Sequence, residues 1–144
     1  MNKAKEQFDD LQKRRSAAQA QGGPEKIQRH HQRGKLTARE RVERLLDPDS
    51  LQEIGLLASH HGQKPSEPIT PADALIAGMG QIHGRPVCFF AEDATLFGGS
   101  LGEINFAKRQ RIYAIAAREK IPLISLLDGA GFRAQSMLDA VEGA

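Results

Sequence analysis

Two glycine-rich junctions hold the residues best placed to do chemistry. The first is Phe97-Gly98-Gly99-Ser100-Leu101-Gly102-Glu103, and the second is Asp128-Gly129-Ala130-Gly131-Phe132-Arg133. Side chains are scarce at both, so backbone N–H groups can approach a ligand closely. Without a ligand, both stretches read as tight turns between strand and helix. Groups of conventional reactivity are few. Ser100 has no histidine near it in sequence, and no Cys/His or Ser/His constellation is placed as a nucleophile pair. Ser100 is therefore expected to contact ligand or backbone. Lys108 falls near an apolar helical stripe and close to the helix start. The positive end of the helix dipole disfavours a lysine there, and a phosphate neighbour would offset that cost. The alternative is a lysine snorkelling on the surface. Arg133 can neutralise a carboxylate or phosphate, or stand as a surface arginine at a helix start.

The elements that position these turns follow from periodicity. An apolar, β-rich run, Pro86 to Ala91, leads into the first turn. A helix reads from Ile104 to about Lys120, with Ile104, Ala107, Ile112, Ile115 and Ala116 at three-to-four spacing and Arg109, Arg118 and Glu119 as the charged complement. A strand reading, Pro122 to Leu127, leads into the second turn. The two junctions lie about thirty residues apart, the spacing of a βαβ-like unit. Upstream, Ala74 to Ile82 reads as a strand joined to the Pro86–Ala91 run through His83-Gly84-Arg85, a hairpin signal. Both strands are strongly apolar, which suits a sheet covered on both faces. Gln135 to Val141 begins another helix, with no cap before Ala144, so this end reads as a cut.

The leading part is polar. Residues 2–20 read as a helix with one thin apolar edge, Phe8, Leu11 and Ala18, suited to lying on a neighbouring surface. Gly22-Gly23 ends it, and Pro24 suits the first turn of a short helix reaching about Gln32. His30 and His31 are adjacent and diverge by about 100° on a helix, so they are expected on the solvated surface rather than on one metal. Thr37 and Glu40 form a capping box ahead of a buried stripe, Val42, Leu45 and Leu46, and Asp47-Pro48 stops the helix. Leu51 to Ile54 reads as a short strand. Residues 58–72, with Gly62, Pro65, Ser66, Pro68 and Pro71, read as loop. His60 and His61 have no cysteine or carboxylate at metal-ligand spacing and take no metal role.

Composition bounds the class. A chain of 144 residues, 40% hydrophobic and 26% charged, suits one soluble globular domain. No apolar run is long enough for a membrane span, and the charged first twenty residues are no signal peptide. Cys88 is the single cysteine, read as buried packing, so a cytoplasmic or organellar-matrix location is the default. Residues 1–44 carry a net charge of roughly +6 against +2 for the whole chain. Such a segment can bind nucleic acid, present a solvated helical face, or attract an anionic cofactor. Phe8 is its only aromatic residue, so stacking on bases has little support.

Three of these motifs together resemble a known family. Gly34-Lys35-Leu36-Thr37-Ala38-Arg39-Glu40-Arg41-Val42 followed by Leu45-Leu46-Asp47-Pro48 resembles the opening of the carboxyltransferase β subunits of biotin-dependent acyl-CoA carboxylases, of the propionyl-CoA and methylcrotonyl-CoA type. Gly84-Arg85-Pro86-Val87, then Phe97 to Glu103 with Lys108 beyond, continues the match. Asp128 to Gln135 is similar to the family's D-S-G-G-A-R-I-Q turn. The match runs over residues 24–144. It implies an α/β crotonase-like fold of ββα units in a superhelix, here partial and preceded by helices. Residues 1–46 would form the helical segment and 47–144 the first part of the domain.

The resemblance further implies transfer of a carboxyl group from carboxybiotin, carried by a partner, to the α-carbon of an acyl-CoA. Ala130 and Gly131 would give backbone N–H groups to the thioester oxygen, where the charge of an enolate develops. Gly98, Gly99, Ser100, Gly102, Lys108 and Arg133 would hold the coenzyme A thioester. Alanine at 130 resists positive φ, which bears on the turn's conformation, and Phe132 would shorten the acyl pocket. Biotin supplies the base in the family. Implied partners are acyl-CoA, a biotin carboxylase or biotin carrier subunit, and further copies of the full-length chain, with a mitochondrial matrix location if eukaryotic. The competing readings are a decarboxylase relative using the same site in reverse, a binding or assembly module without turnover, and a nucleic-acid binder working through residues 1–44.

Overall fold

The computed structural model of the chain describes residues 3–59 and 71–133. Within them, helices α1 (Lys3–Gln19), α2 (Pro24–Gln32) and α3 (Ala38–Leu45) precede strands β1 (Gln52–Glu53), β2 (Leu75–Ile82) and β3 (Arg85–Glu92). Helix α4 (Glu103–Glu119) and strand β4 (Leu123–Leu126) follow. The expected helix over Gln135–Val141 and most of the 58–72 loop lie outside the described residues.

The sheet has the order β1-β2-β3-β4. β2 and β3 form an antiparallel hairpin from Leu75↔Glu92 to Ile82↔Arg85. β4 pairs parallel with β3, from Cys88↔Leu123 to Ala91↔Leu126, so β3, α4 and β4 make the expected crossover unit. Side chains alternate across the sheet. On one face Ile76, Val87, Phe89 and Ala91 pack against Ala38, Val42 and Leu46 of the α3 region. On the other Leu75, Ala77, Cys88 and Phe90 pack against Ile112, Ile115 and Ala116 of α4. Cys88 sits wholly inside this second cluster, and burial pushes its thiol pKa up.

Local chemistry sets the ends of the elements. The Thr37 hydroxyl accepts the Glu40 N–H, and the Glu40 carboxylate accepts the Thr37 N–H at 2.7 Å, which completes the capping box. The Asp47 carboxylate accepts the His83 and Gly84 N–H groups at 2.9 and 2.7 Å. It thereby ties the end of α3 to the hairpin turn, a role its place before Pro48 did not announce. These bonds hold the Asp47 carboxyl below its ordinary 3.8. A depressed folded pKa gives stability that is present above the ordinary value and lost as pH falls through the folded one. In Asp47→Ala, the His83 and Gly84 amides exchange with solvent faster than in the parent at neutral pH. Hydrogen–deuterium exchange reads this, and equal protection in the two proteins contradicts it.

Candidate functional site

The two glycine turns do not open separately toward solvent; they zip together. Ala130 N–H donates to Gly98 O at 3.0 Å, Leu101 N–H to Gly131 O at 2.8 Å, and Arg133 N–H to Leu101 O at 2.9 Å. Leu101 and Phe132 thus form a parallel bridge between the turns. The absence of side chains serves this close approach. A Cβ at Gly129 would stand 2.6 Å from Gly99 O and 2.7 Å from the Glu92 carboxylate. A Cβ at Gly102, the N-cap of α4, would stand 2.6 Å from the Arg133 guanidinium.

Several sequence expectations are corrected by this geometry. The Ala130 N–H is committed to a carbonyl, so it is not a free donor to an oxyanion. Its φ is not positive; the left-handed residue of the turn is Gly131, at φ 95, so alanine fits at 130. Among the described residues the Gly131 N–H meets no acceptor, and nothing lies within 4 Å of the place where a side chain would begin. Gly99, Ser100 and Gly102 are buried, and the space around Gly99 and Gly102 is filled by the chain itself. Arg133 does neutralise a carboxylate, but an internal one. Its guanidinium donates to Asp73 Oδ1 at 2.7 Å, to the Ser100 hydroxyl at 3.3 Å and to Ser100 O at 3.2 Å, and lies over the Phe97 ring.

Lys108 is neither a phosphate ligand nor a surface residue. It is 6% exposed, and its Nζ donates to Ala72 O and Leu75 O. One carbonyl belongs to, and the other directly follows, Ala72, Asp73 and Ala74, three consecutive residues at positive φ, a costly run for side-chain-bearing residues. Burial lowers the Lys108 pKa from 10.5 to about 8. The unfolded chain therefore holds more protons between those two values, and stability rises with pH across that window. The neutral amine keeps two N–H donors, enough for both carbonyls. We expect the parent to gain about 2 kcal/mol between pH 8 and pH 10 relative to Lys108→Met. Urea unfolding of both proteins at the two pH values checks this, and parallel pH dependences contradict it.

The residues that position the second turn were missed in the sequence. Glu92, at the end of β3, accepts the Asp128 N–H through Oε2 and pairs with Arg109 through Oε1, both at 2.7 Å. Arg109 also donates to Asn105 Oδ1 at 2.8 Å and stacks on Phe90. It is buried rather than part of a solvated helix face. On the other side, Asp73 Oδ2 accepts the Asn105 N–H at 2.7 Å, capping α4 from a distant segment. The Gly34–Val42 motif braces the same turn. Lys35 pairs with Asp128 at 2.6 Å, and Arg41 donates to Glu92 O at 2.7 Å and Leu127 O at 3.5 Å. His30, expected at the surface, is 7% exposed; its Nε2 lies 3.2 Å from Leu36 O and 3.5 Å from Asp128. His31 does remain exposed, beside Glu40 at 2.9 Å, a contact that leads the causes lowering the Glu40 pKa. The i,i+4 spacing of Asn105 and Arg109, and an acidic pair closing an apolar strand at Glu92-Asp93, were the available signals for the missed residues.

The first turn also borders a cavity of about 350 Å³ between α2 and the Ala94–Gly98 segment, lined by Lys26, Arg29, His30 and Arg33 and by Thr95, Phe97 and Gly98. Its rim is basic. Among the described residues no helix is long and apolar enough to cross a membrane.

Residues 29–144 match the family model described as carboxyl transferase domain. The chain is 42% identical over 128 residues to the biotin-dependent acetyl-/propionyl-coenzyme A carboxylase beta5 subunit of Mycobacterium tuberculosis, covering 88% of this chain and 23% of that protein. It is 34% identical over 147 residues to the methylmalonyl-CoA decarboxylase subunit alpha of Veillonella parvula, covering 99% of this chain and 28% of that one. Among solved structures, transcarboxylase 12S, described as a hexamer with methylmalonyl-coenzyme A and methylmalonic acid bound, superposes with a TM-score of 0.89 at 32% identity. The superposition covers 99% of this chain and 28% of that one. The chain thus spans about a quarter of the length of these relatives, and its fold matches part of the crotonase-like carboxyltransferase fold.

Proposed function

The chain belongs to the carboxyl transferase domain family, and from that premise we propose that its zipped turns hold an acyl-CoA thioester for carboxyl transfer at the α-carbon. One observation carries the reading. The Gly131 N–H is left without an acceptor among the described residues, at a left-handed glycine in a turn fixed on both sides. Loss of an α-proton from a thioester places negative charge on its carbonyl oxygen. A fixed N–H aimed at that oxygen stabilises the charge by a few kcal/mol, because it needs no reorganisation during the reaction.

The surrounding carboxylates support a reaction whose base comes from outside the turn. Asp73 is paired with Arg133, Glu92 with Arg109, and Asp128 with Lys35, so none of the three is a spare proton acceptor. Carboxybiotin, delivered by a partner carrier, supplies both the carboxyl group and the base when bound. The chain's own part is to orient the thioester and polarise its carbonyl through Gly131. Residues 1–46 serve as a helical brace, and residues 47–144 as the first part of the catalytic domain. On this reading, further copies of the chain and a biotin carrier or biotin carboxylase subunit complete the assembly.

The similarity to a decarboxylase subunit favours one second reading, the same site run toward loss of the carboxyl group. Both readings require the thioester carbonyl to be recognised. Calorimetric titration with an acyl-CoA and with the matching S-alkyl-CoA, which lacks the carbonyl, tests this. The thioester is expected to bind about five- to tenfold more tightly, the worth of one hydrogen bond. Equal affinities overturn the reading.

A further inference from the structure

Helix α4 turns several polar residues inward and its aromatic residues outward. Asn105, Lys108 and Arg109 are buried and bonded to the chain, while Phe106 and Tyr113 are 48% and 41% exposed. With Ile112, Ile115 and Ala116 packed on the sheet, α4 carries apolar residues on two opposite faces. A helix apolar all round is one that both faces bury. At about 100° per residue, Phe106 and Tyr113 form one stripe of the outer face and Ala107 and Ala114 a second, with Gln110 between them. Arg111 and Lys120 stand at the margins, turned about 80–100° from that centre line. Tyr113 is held by an edge-on contact with Phe90, ring centroids 5.9 Å apart.

We propose that this face pairs with the same face of a second copy of the chain, the two α4 helices lying antiparallel about a twofold axis at Gln110. The face is self-complementary in that register. A twofold axis lays each stripe on its own copy in reverse order. Phe106 then meets Tyr113 of the second copy, and Ala107 meets its Ala114. Both pairs are centred within half a residue of Gln110. So is a third, Glu103 with Arg118 of the second copy, on the alanine side. Glu103 is exposed. The Arg118 side chain is 67% exposed, and its contact with the neighbouring Glu119 is a surface pair of small worth. Opposite charges therefore meet at both ends of the face. A parallel pairing would set Glu103 beside Glu103 and Arg118 beside Arg118, so the charges select the antiparallel one. The antiparallel helix dipoles also attract. The aromatic pairs supply most of the attraction, and the alanines let the backbones approach.

A helix of 17 residues is about 26 Å long, so the contact lies at the small end of protein interfaces and the expected dissociation constant is on the order of 100 µM. The pairing involves neither Gly131 nor a thioester, so it stands or falls apart from the reading under Proposed function.

Sedimentation equilibrium of the 144-residue chain without ligand, from about 10 µM to about 1 mM, is the test. A monomer–dimer equilibrium is expected. Phe106→Lys, at an exposed position, is expected to weaken it by at least about tenfold. Glu103→Arg and Arg118→Glu, each alone, set like charges against each other at both ends and are expected to weaken it by about tenfold. An equimolar mixture of those two variants brings opposite charges together again at both ends. It is expected to dimerise as tightly as the parent, and that rescue also shows both variants to be folded. A chain that stays monomeric across the range overturns the pairing. So does a dimer that Phe106→Lys leaves intact, or a mixture that associates no more tightly than either variant alone. Association beyond two copies overturns it as well, because a twofold contact closes at the dimer.

Discussion

Glu92→Ala destabilises the chain by about 3–5 kcal/mol, the range for removing one member of a buried ion pair. The Glu92 and Arg109 side chains are 12% and 8% exposed. Without Glu92, Arg109 keeps its charge in a desolvated place with only Asn105 and the Phe90 ring beside it. The Asp128 N–H loses its acceptor as well, so the second turn loosens along with the core. The double variant Glu92→Leu/Arg109→Met removes both charges and is expected to recover most of the loss, because an apolar pair of similar volume often replaces a buried ion pair at little cost. Urea unfolding of the parent, Glu92→Ala and the double variant measures all three. A loss under about 1 kcal/mol in Glu92→Ala would mean that the pair is solvent-screened and does not fix the turn.

Asp73→Ala carries a comparable penalty, about 3–5 kcal/mol, by a different route. Asp73 is fully buried and serves two elements at once. One carboxylate oxygen holds Arg133 at 2.7 Å, and the other accepts the Asn105 N–H at 2.7 Å in the first turn of α4. Its removal strands a guanidinium that is 14% exposed and leaves the helix start without this cap. Asp73→Asn keeps an acceptor for the Asn105 N–H but not the charge, so its loss is expected to fall between those of parent and Asp73→Ala. If Asp73→Asn proves as costly as Asp73→Ala, the capping bond contributes nothing measurable and the ion pair carries the whole effect.

The elements were legible because their signals are local. Apolar runs joined through His83-Gly84-Arg85 mark the hairpin, the spacing of Ile112, Ile115 and Ala116 marks the core face of α4, and Thr37 with Glu40 marks the start of α3. The glycine turns were legible as turns. Their ligands were not, because the space a glycine frees can be filled by a ligand or by another part of the chain. At Gly99, Gly102 and Gly129 it is the chain that fills it. Charged partners across long separations left no local trace. Glu92 lies 36 residues from Asp128, and Asp73 lies 60 from Arg133, so nothing in either neighbourhood announces the pairing. Lys108 was misread for the same reason; its acceptors are backbone carbonyls of Ala72 and Leu75, which carry no sequence signature.

Recognition of the thioester carbonyl rests on one amide, the Gly131 N–H. Amide proton–nitrogen NMR of the chain, titrated with an acyl-pantetheine thioester, follows Gly131 and Ala130 separately. A downfield shift of the Gly131 proton that saturates with binding, while the Ala130 proton stays bonded to Gly98 O and moves little, is the expected result. Saturable binding that leaves the Gly131 resonance in place would contradict it.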